Sequence, residues 1–171
     1  MTRTRTNLLP GDRFPTLTLE GMDGTSVTSE KFTGWTLLLV YRGAHCGICK
    51  KFFRDLEKYR QSWNDLGVAT LAVTADSPAD VKAFLKEAGY LGDAAGGLTI
   101  DQMNSLGVWI TDTDQSGLPY AHPEPALFLI DPEGCIAAAE VTTIAFVRPD
   151  LPALDMGLKF LVGRDIRPPY G

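Results

Sequence analysis

The sequence predicts an α/β fold, a central mixed β-sheet flanked by helices with a β-hairpin extension at its N-terminal end. Two short apolar runs, "WTLLLVY" and "VATLAVT", have strand length and no polar alternation. That pattern belongs to strands buried on both faces. The segment between them, Cys46 to Leu66, is amphipathic with a helical period, and a second helical segment follows the second run. Strand, helix, strand, helix predicts a right-handed crossover and parallel pairing.

Each element has its own signal. In "FPTLTLEGMDGTSVTSEKF", Leu17 and Leu19 alternate, Gly21 to Gly24 turn the chain, and Val27 resumes the pattern. This reads as a hairpin within an extension over 1–34. Along the first helix, Phe52, Leu56, Tyr59, Trp63 and Leu66 recur at spacings of 4, 3, 4 and 3, one helical face, and Gly67 stops it. Ser77, Pro78 and Asp80 open the second helix with an N-cap, a first-turn proline and an early acid. Val81, Phe84, Leu85 and Ala88 form its inner face, and Gly89 ends it. "GGLTID" predicts a short strand and "QMNSLGV" a short helix. Residues 109–125 predict a long irregular loop with Gly and Pro breaks. "ALFLID", "PEG" and "CIAAAEV" predict an antiparallel hairpin that closes the sheet, with Cys135 a buried strand cysteine. A last helix spans about Pro149 to Val162, with Leu151, Leu154, Leu158 and Leu161 inward, before an irregular "RDIRPPYG" tail.

Bulk properties narrow the function classes. The 171 residues predict a single domain over 1–171. Hydrophobic residues make up 44% and charged residues 22%, and the formal net charge is −5 with no long basic run. Nucleic acid is therefore not the expected partner, because phosphate binding needs clustered Lys and Arg. The basic start has no apolar stretch after it, and no run is long enough for a bilayer. A soluble, cytoplasmic chain without a membrane partner is the expectation.

The chemistry concentrates in "YRGAHCGICKKF", residues 41 to 52. Cys46 falls at the predicted first helical turn, where free backbone N–H groups and the helix dipole favour a thiolate. Cys49 lies one turn deeper on nearly the same face, within reach and better shielded. Such asymmetry suits an attacking and a resolving thiol. His45, if protonated, would lower the Cys46 pKa further. Lys50, Lys51 and Arg54 add positive charge. Two other readings compete. A zinc site needs four ligands, and beyond the pair the chain offers only Cys135, His45 and His122, so no metal is expected. Inert packing is disfavoured by the placement of the pair between a buried strand and a helix.

"YRGAHCGIC" is similar to the Y-R-G-x-x-C-x-x-C signature of many peroxiredoxin-like proteins. With the Pro-led "EPALFLIDPEG" and the opening "LLPGDRFPTLTLEGMDGTSVTSEKFTGW", nearly the whole chain resembles the alkyl hydroperoxide reductase/thiol-specific antioxidant family. The resemblance implies a thioredoxin-like fold and no cofactor beyond a redox-active Cys46–Cys49 disulfide. It also places a cis-proline at Pro125, packed against that disulfide, with Glu124 before it facing the substrate. A carboxylate there would oppose the thiolate or accept a proton. The family's peroxidatic pattern has Pro, Thr or Ser, and Arg where this chain has Leu39, Gly43 and Pro125, which weighs against efficient peroxide chemistry. Arg42 is the candidate stand-in for the arginine. Where thioredoxins carry a buried acid, this chain has Val40.

Three functions follow. The first is thiol–disulfide exchange, with Cys46 as nucleophile and Cys49 as resolving thiol. It acts on a disulfide-containing protein or small molecule and draws on an external thiol reductant. The second is an antioxidant thiol peroxidase with Cys46 peroxidatic. The third is a redox-sensing or binding module without turnover. Trp109, Tyr120 and His122 are expected as exposed contacts in the substrate wall. The chain is compatible with an oligomer, which its sequence does not specify.

Overall fold

The structure is a computed structural model and describes residues 8–164 and residue 166. The basic start and most of the predicted irregular tail lie outside the described residues. The N-terminal hairpin is present as β1 (Thr18–Gly21) and β2 (Ser26–Thr28), paired antiparallel. The core unit follows as β3 (Trp35–Val40), α1 (Gly47–Asp65), β4 (Val68–Val73) and α2 (Pro78–Ala88), with β3 and β4 parallel. Then come β5 (Asp93–Gly96), α3 (Ile100–Ser105), β6 (Ile110–Thr111), α4 (Thr113–Ser116) and β7 (His122–Pro123). The chain closes with β8 (Ala126–Ile130), β9 (Ile136–Val141) and α5 (Leu151–Leu161). The main sheet has the order β2-β1-β5-β4-β3-β8-β9 and mixes parallel with antiparallel pairs. The predicted fold class is the observed one. Among the described residues, no helix is long and apolar enough to cross a membrane.

Strand β3 is buried on both faces, as its unbroken apolar run implied. Leu37 and Leu39 pack under α1, α2 and α5 with Phe53, Leu56 and Trp63. Leu38 and Val40 join Phe14, Leu17, Leu19, Met103 and Phe128 on the other face. Each such side chain contributes about 2 kcal/mol of burial. The predicted caps are in place. Ser77 accepts from the Asp80 N–H, and Gly89 adopts φ 69°, the left-handed cap.

Several expectations are corrected. The stripe of α1 centres on Cys49, Phe53, Leu56 and Trp63, while Phe52, Tyr59 and Leu66 are half-buried along its margin. The strand expected at "GGLTID" lies earlier, at Asp93–Gly96. Wedged between β4 and β1, it carries small residues that sheet propensity alone would not favour. The loop over 109–125 holds β6, α4 and β7, with β6 and β7 paired antiparallel. Cys135 is half-buried just before β9, in an isolated bridge with Arg13. Helix α5 fully buries Leu151 and Leu158, with Leu154 and Leu161 packed at the core's edge. Among the described residues no peptide bond is cis, so Glu124–Pro125 is trans. That is the lower-energy isomer, and the Pro125 carbonyl is tied to the Thr142 N–H at 3.0 Å as β8 enters the sheet.

Candidate functional site

One edge of the sheet collects the site. Val40 pairs with Val73, Ala126 and, through Ala126, Val141. The ends of β3 and β4, the start of β8 and the end of β9 therefore emerge together, as expected for crevices at the carboxyl ends of parallel strands. Residues far apart in sequence meet there.

At its centre Cys46 is the N-cap of α1, and its sulfur accepts from the Cys49 N–H at 3.2 Å. The two cysteines are disulfide-bonded, with Cα atoms 5.2 Å apart. Cys46 is 4% exposed and Cys49 is fully enclosed. A sulfur at a helix N-terminus is the position that favours a thiolate on reduction.

The approach to Cys46 is shaped by Asp76, from the turn after β4. This carboxylate is 2% exposed. It accepts from the Ala44 N–H at 2.6 Å and the Tyr120 hydroxyl at 2.7 Å. Gly43 sits against it at φ 133°, and a Cβ there would stand 2.6 Å from Oδ1. The glycine is required by backbone and space alike. Where the family carries a Thr or Ser, a carboxylate from another strand end fills the room. Burial, and then the bond to Asp76, raises the Tyr120 pKa. Burial also raises that of Tyr41, whose hydroxyl has no hydrogen-bond partner among the described residues and whose ring stacks on Phe84 at 4.6 Å.

Glu124 is buried beside this loop. Its Oε1 accepts from Arg42 Nε at 3.1 Å and from the Thr111 hydroxyl at 2.6 Å, while Oε2 has no hydrogen-bond partner among the described residues. Arg42, the candidate stand-in arginine, is thus paired with Glu124 through Nε. His122, expected to be exposed, is fully buried, and neither ring nitrogen has a hydrogen-bond partner among the described residues. Its ring meets that of His45 edge-on at 4.6 Å. Burial, then His45 and Arg42, push the His122 pKa down to about 4. His45 is exposed, yet loss of surrounding water and the nearby Arg42 lower its pKa as well. The neutral form is favoured, which weighs against the protonated His45 that would lower the Cys46 pKa. Trp109 is 45% exposed, as expected, and Tyr120 is half-buried against Asp76.

Sequence reasoning missed Arg148, in the connection from β9 to α5. Its Nη2 lies 2.9 Å from Cys49 Sγ, Nε donates to the Ala145 carbonyl at 2.9 Å, and the guanidinium covers the Phe52 ring at 5.3 Å. Burial lowers its pKa to about 10, which leaves it cationic at neutral pH. Arg148 also lines a groove of about 500 Å³ with Ile48, Phe52, Tyr59 and Leu151. A larger cleft of about 660 Å³, by Met22, Phe32 and Trp35, holds neither cysteine. Among the described residues no cluster of three or more His, Cys, Asp or Glu is placed to hold a metal ion.

A C-x-x-C disulfide on the first helical turn of a thioredoxin-like sheet defines a thiol-based oxidoreductase. The chain belongs to the AhpC/TSA family, whose model matches residues 10–139. Its fold is shared with the AhpC of Enterococcus faecalis (TM-score 0.77, 15% identity, covering 96% of this chain and 100% of that one). A cysteine-to-serine mutant of the peroxiredoxin 6 of Arenicola marina gives TM-score 0.77 at 16% identity over 91% of this chain and 74% of that one. The thiol peroxidase from Chromobacterium violaceum gives 0.72 at 20% identity over 91% and 90%. No curated protein matches the chain in sequence.

Proposed function

We propose that the protein cycles Cys46 and Cys49 between dithiol and disulfide to carry out thiol–disulfide exchange. The carrying observation is the disulfide itself, with Cys46 capping α1 and Cys49 enclosed beneath it. The Cys46 thiolate attacks a substrate disulfide, a mixed disulfide forms, and Cys49 displaces the substrate thiol. An external thiol returns the pair to the dithiol. The acidic chain and its few cysteines suit a cytoplasmic setting. Gly43 supports exchange over peroxide reduction. It offers no hydroxyl, and Asp76 leaves no room for one. Family membership favours the second reading, a thiol peroxidase in which Cys46 becomes a sulfenic acid that Cys49 condenses with.

Rapid mixing of the reduced protein with glutathione disulfide and, separately, hydrogen peroxide tests this. The expected outcome is faster oxidation by the disulfide, total loss of turnover in Cys46→Ser and a trapped mixed disulfide in Cys49→Ser. Peroxide oxidation well above the rate of a free thiol would instead establish the peroxidase. Inertness toward both oxidants would leave a redox sensor.

A further inference from the structure

We propose that Arg148 is a catalytic residue of the exchange, the cation that receives the negative charge on Cys49 when the Cys46–Cys49 bond opens. This rests on the redox reading above and assigns a direction to it. Cys49 is fully enclosed, so water cannot solvate a thiolate there. An unpaired buried charge would be strongly unfavourable. The guanidinium 2.9 Å from its sulfur is placed to compensate. Arg148 is held for that task. The Ala145 carbonyl and the Phe52 face fix its fork, and Glu124 and Glu140 act on it only at a distance, since among the described residues no carboxylate lies within ion-pair distance of it. A disulfide sulfur is a weak acceptor. The same approach has a far stronger partner in a thiolate.

The chemistry balances without a proton transfer. A small-molecule thiolate attacks Cys46 Sγ. A new S–S bond forms there as the Cys46–Cys49 bond breaks, and the electron pair departs on Cys49 Sγ against Arg148. A second thiolate then attacks the external sulfur of the mixed disulfide, releases the oxidised small disulfide, and leaves the electron pair on Cys46 at the N-terminus of α1. Stabilising the leaving group accelerates cleavage at the neighbouring sulfur. Arg148 thereby directs the incoming thiolate to Cys46 and makes Cys49 the departing sulfur.

The test is the ultraviolet thiolate titration of Cys49 alone, in reduced Cys46→Ser. The midpoint should lie below the free-cysteine value of about 8.5. It should rise by about one unit, tenfold in acidity, in Cys46→Ser/Arg148→Met, and return most of the way in Cys46→Ser/Arg148→Lys. In the two-cysteine protein, at a pH above both Cys49 midpoints, Arg148→Met should shift the equilibrium with dithiothreitol about tenfold toward disulfide, about 30 mV for this two-electron couple, and the shift should shrink as pH falls below them. A Cys49 midpoint at or above about 8.5 that Arg148→Met leaves unmoved overturns the proposal. If Arg148→Met fails to fold, the lysine variant decides, since a merely structural arginine predicts no dependence on the charge. Failure of the underlying redox reading would show separately, as a wild-type pair that no thiol reduces.

Discussion

The two flanks of the Cys46–Cys49 disulfide are built differently. On the Cys46 side, Asp76 and Glu124 are buried carboxylates serviced by Ala44, Tyr120, Thr111 and Arg42, with His45 and His122 held toward their neutral forms. On the Cys49 side stands the cation Arg148, over an aromatic face and within the fields of Glu124 and Glu140. The contrast assigns different means to the two sulfurs. Cys46 has the N-terminus of α1, whose free N–H groups favour a thiolate. Cys49 lies inside the helix, out of reach of solvent, and relies on a guanidinium. Two thiols three residues apart thus meet different electrostatic environments because different strand ends reach them.

The sharpest way to break the carboxylate flank is Gly43→Thr, which supplies the hydroxyl common in the family. Its Cβ would stand 2.6 Å from Asp76 Oδ1 at φ 133°. The expected loss of stability is on the order of 3 kcal/mol, read as a lower urea midpoint. Asp76→Ser in the same chain should recover part of it by clearing the space. A gain of peroxide reactivity in that double variant would mean that the Gly43–Asp76 pairing holds back the peroxidase chemistry. An unchanged midpoint in Gly43→Thr would mean that the loop and Asp76 part easily.

His122 is next in size. Its folded pKa of about 4 lies below the ordinary 6.5, so the unfolded chain binds more protons between those values. Its contribution is whole above about pH 6.5 and is lost as pH falls toward 4, by roughly 2–3 kcal/mol. His45 and Arg42 oppose its protonation, and Glu124, 4.0 Å from Nε2, offers the one nearby compensation. His122→Phe should flatten the acid limb of the stability profile and cost little at neutral pH, since both ring nitrogens are unpartnered. A profile as steep as the wild type's would assign the acid limb to other groups.

What was legible in the sequence was local. The cysteine spacing, the break from buried strand to helix, the Ser77 cap and the Gly89 stop each lie within a few residues, and each holds. The environment of the sulfurs was not legible. Asp76 reaches Ala44 across 32 positions, Tyr120 reaches Asp76 across 44, and Arg148 reaches Cys49 across 99. These contacts follow from sheet order, and no spacing rule encodes them. His122 looked exposed because a Gly- and Pro-rich stretch resembles a surface loop. Its pairing with Thr111 in β7 turns it inward. One faint signal existed, an arginine just ahead of the last amphipathic helix with no acid beside it until Asp150.

The smallest effect tests whether the two flanks are independent. The Tyr120 hydroxyl donates to Asp76 at 2.7 Å, and Asp76 keeps its bond from Ala44 when that donor is removed. Tyr120→Phe should therefore cost only about 1–2 kcal/mol. It should leave the Cys49 titration unmoved, because Tyr120 and Arg148 share no hydrogen-bond partner. The two losses of stability should then add to within about 0.5 kcal/mol in Tyr120→Phe/Arg148→Met. A larger coupling energy, or a shifted Cys49 midpoint in Tyr120→Phe alone, would show that the carboxylate flank reaches through the disulfide to its partner sulfur. The division of labour between Asp76 and Arg148 would then be a single network.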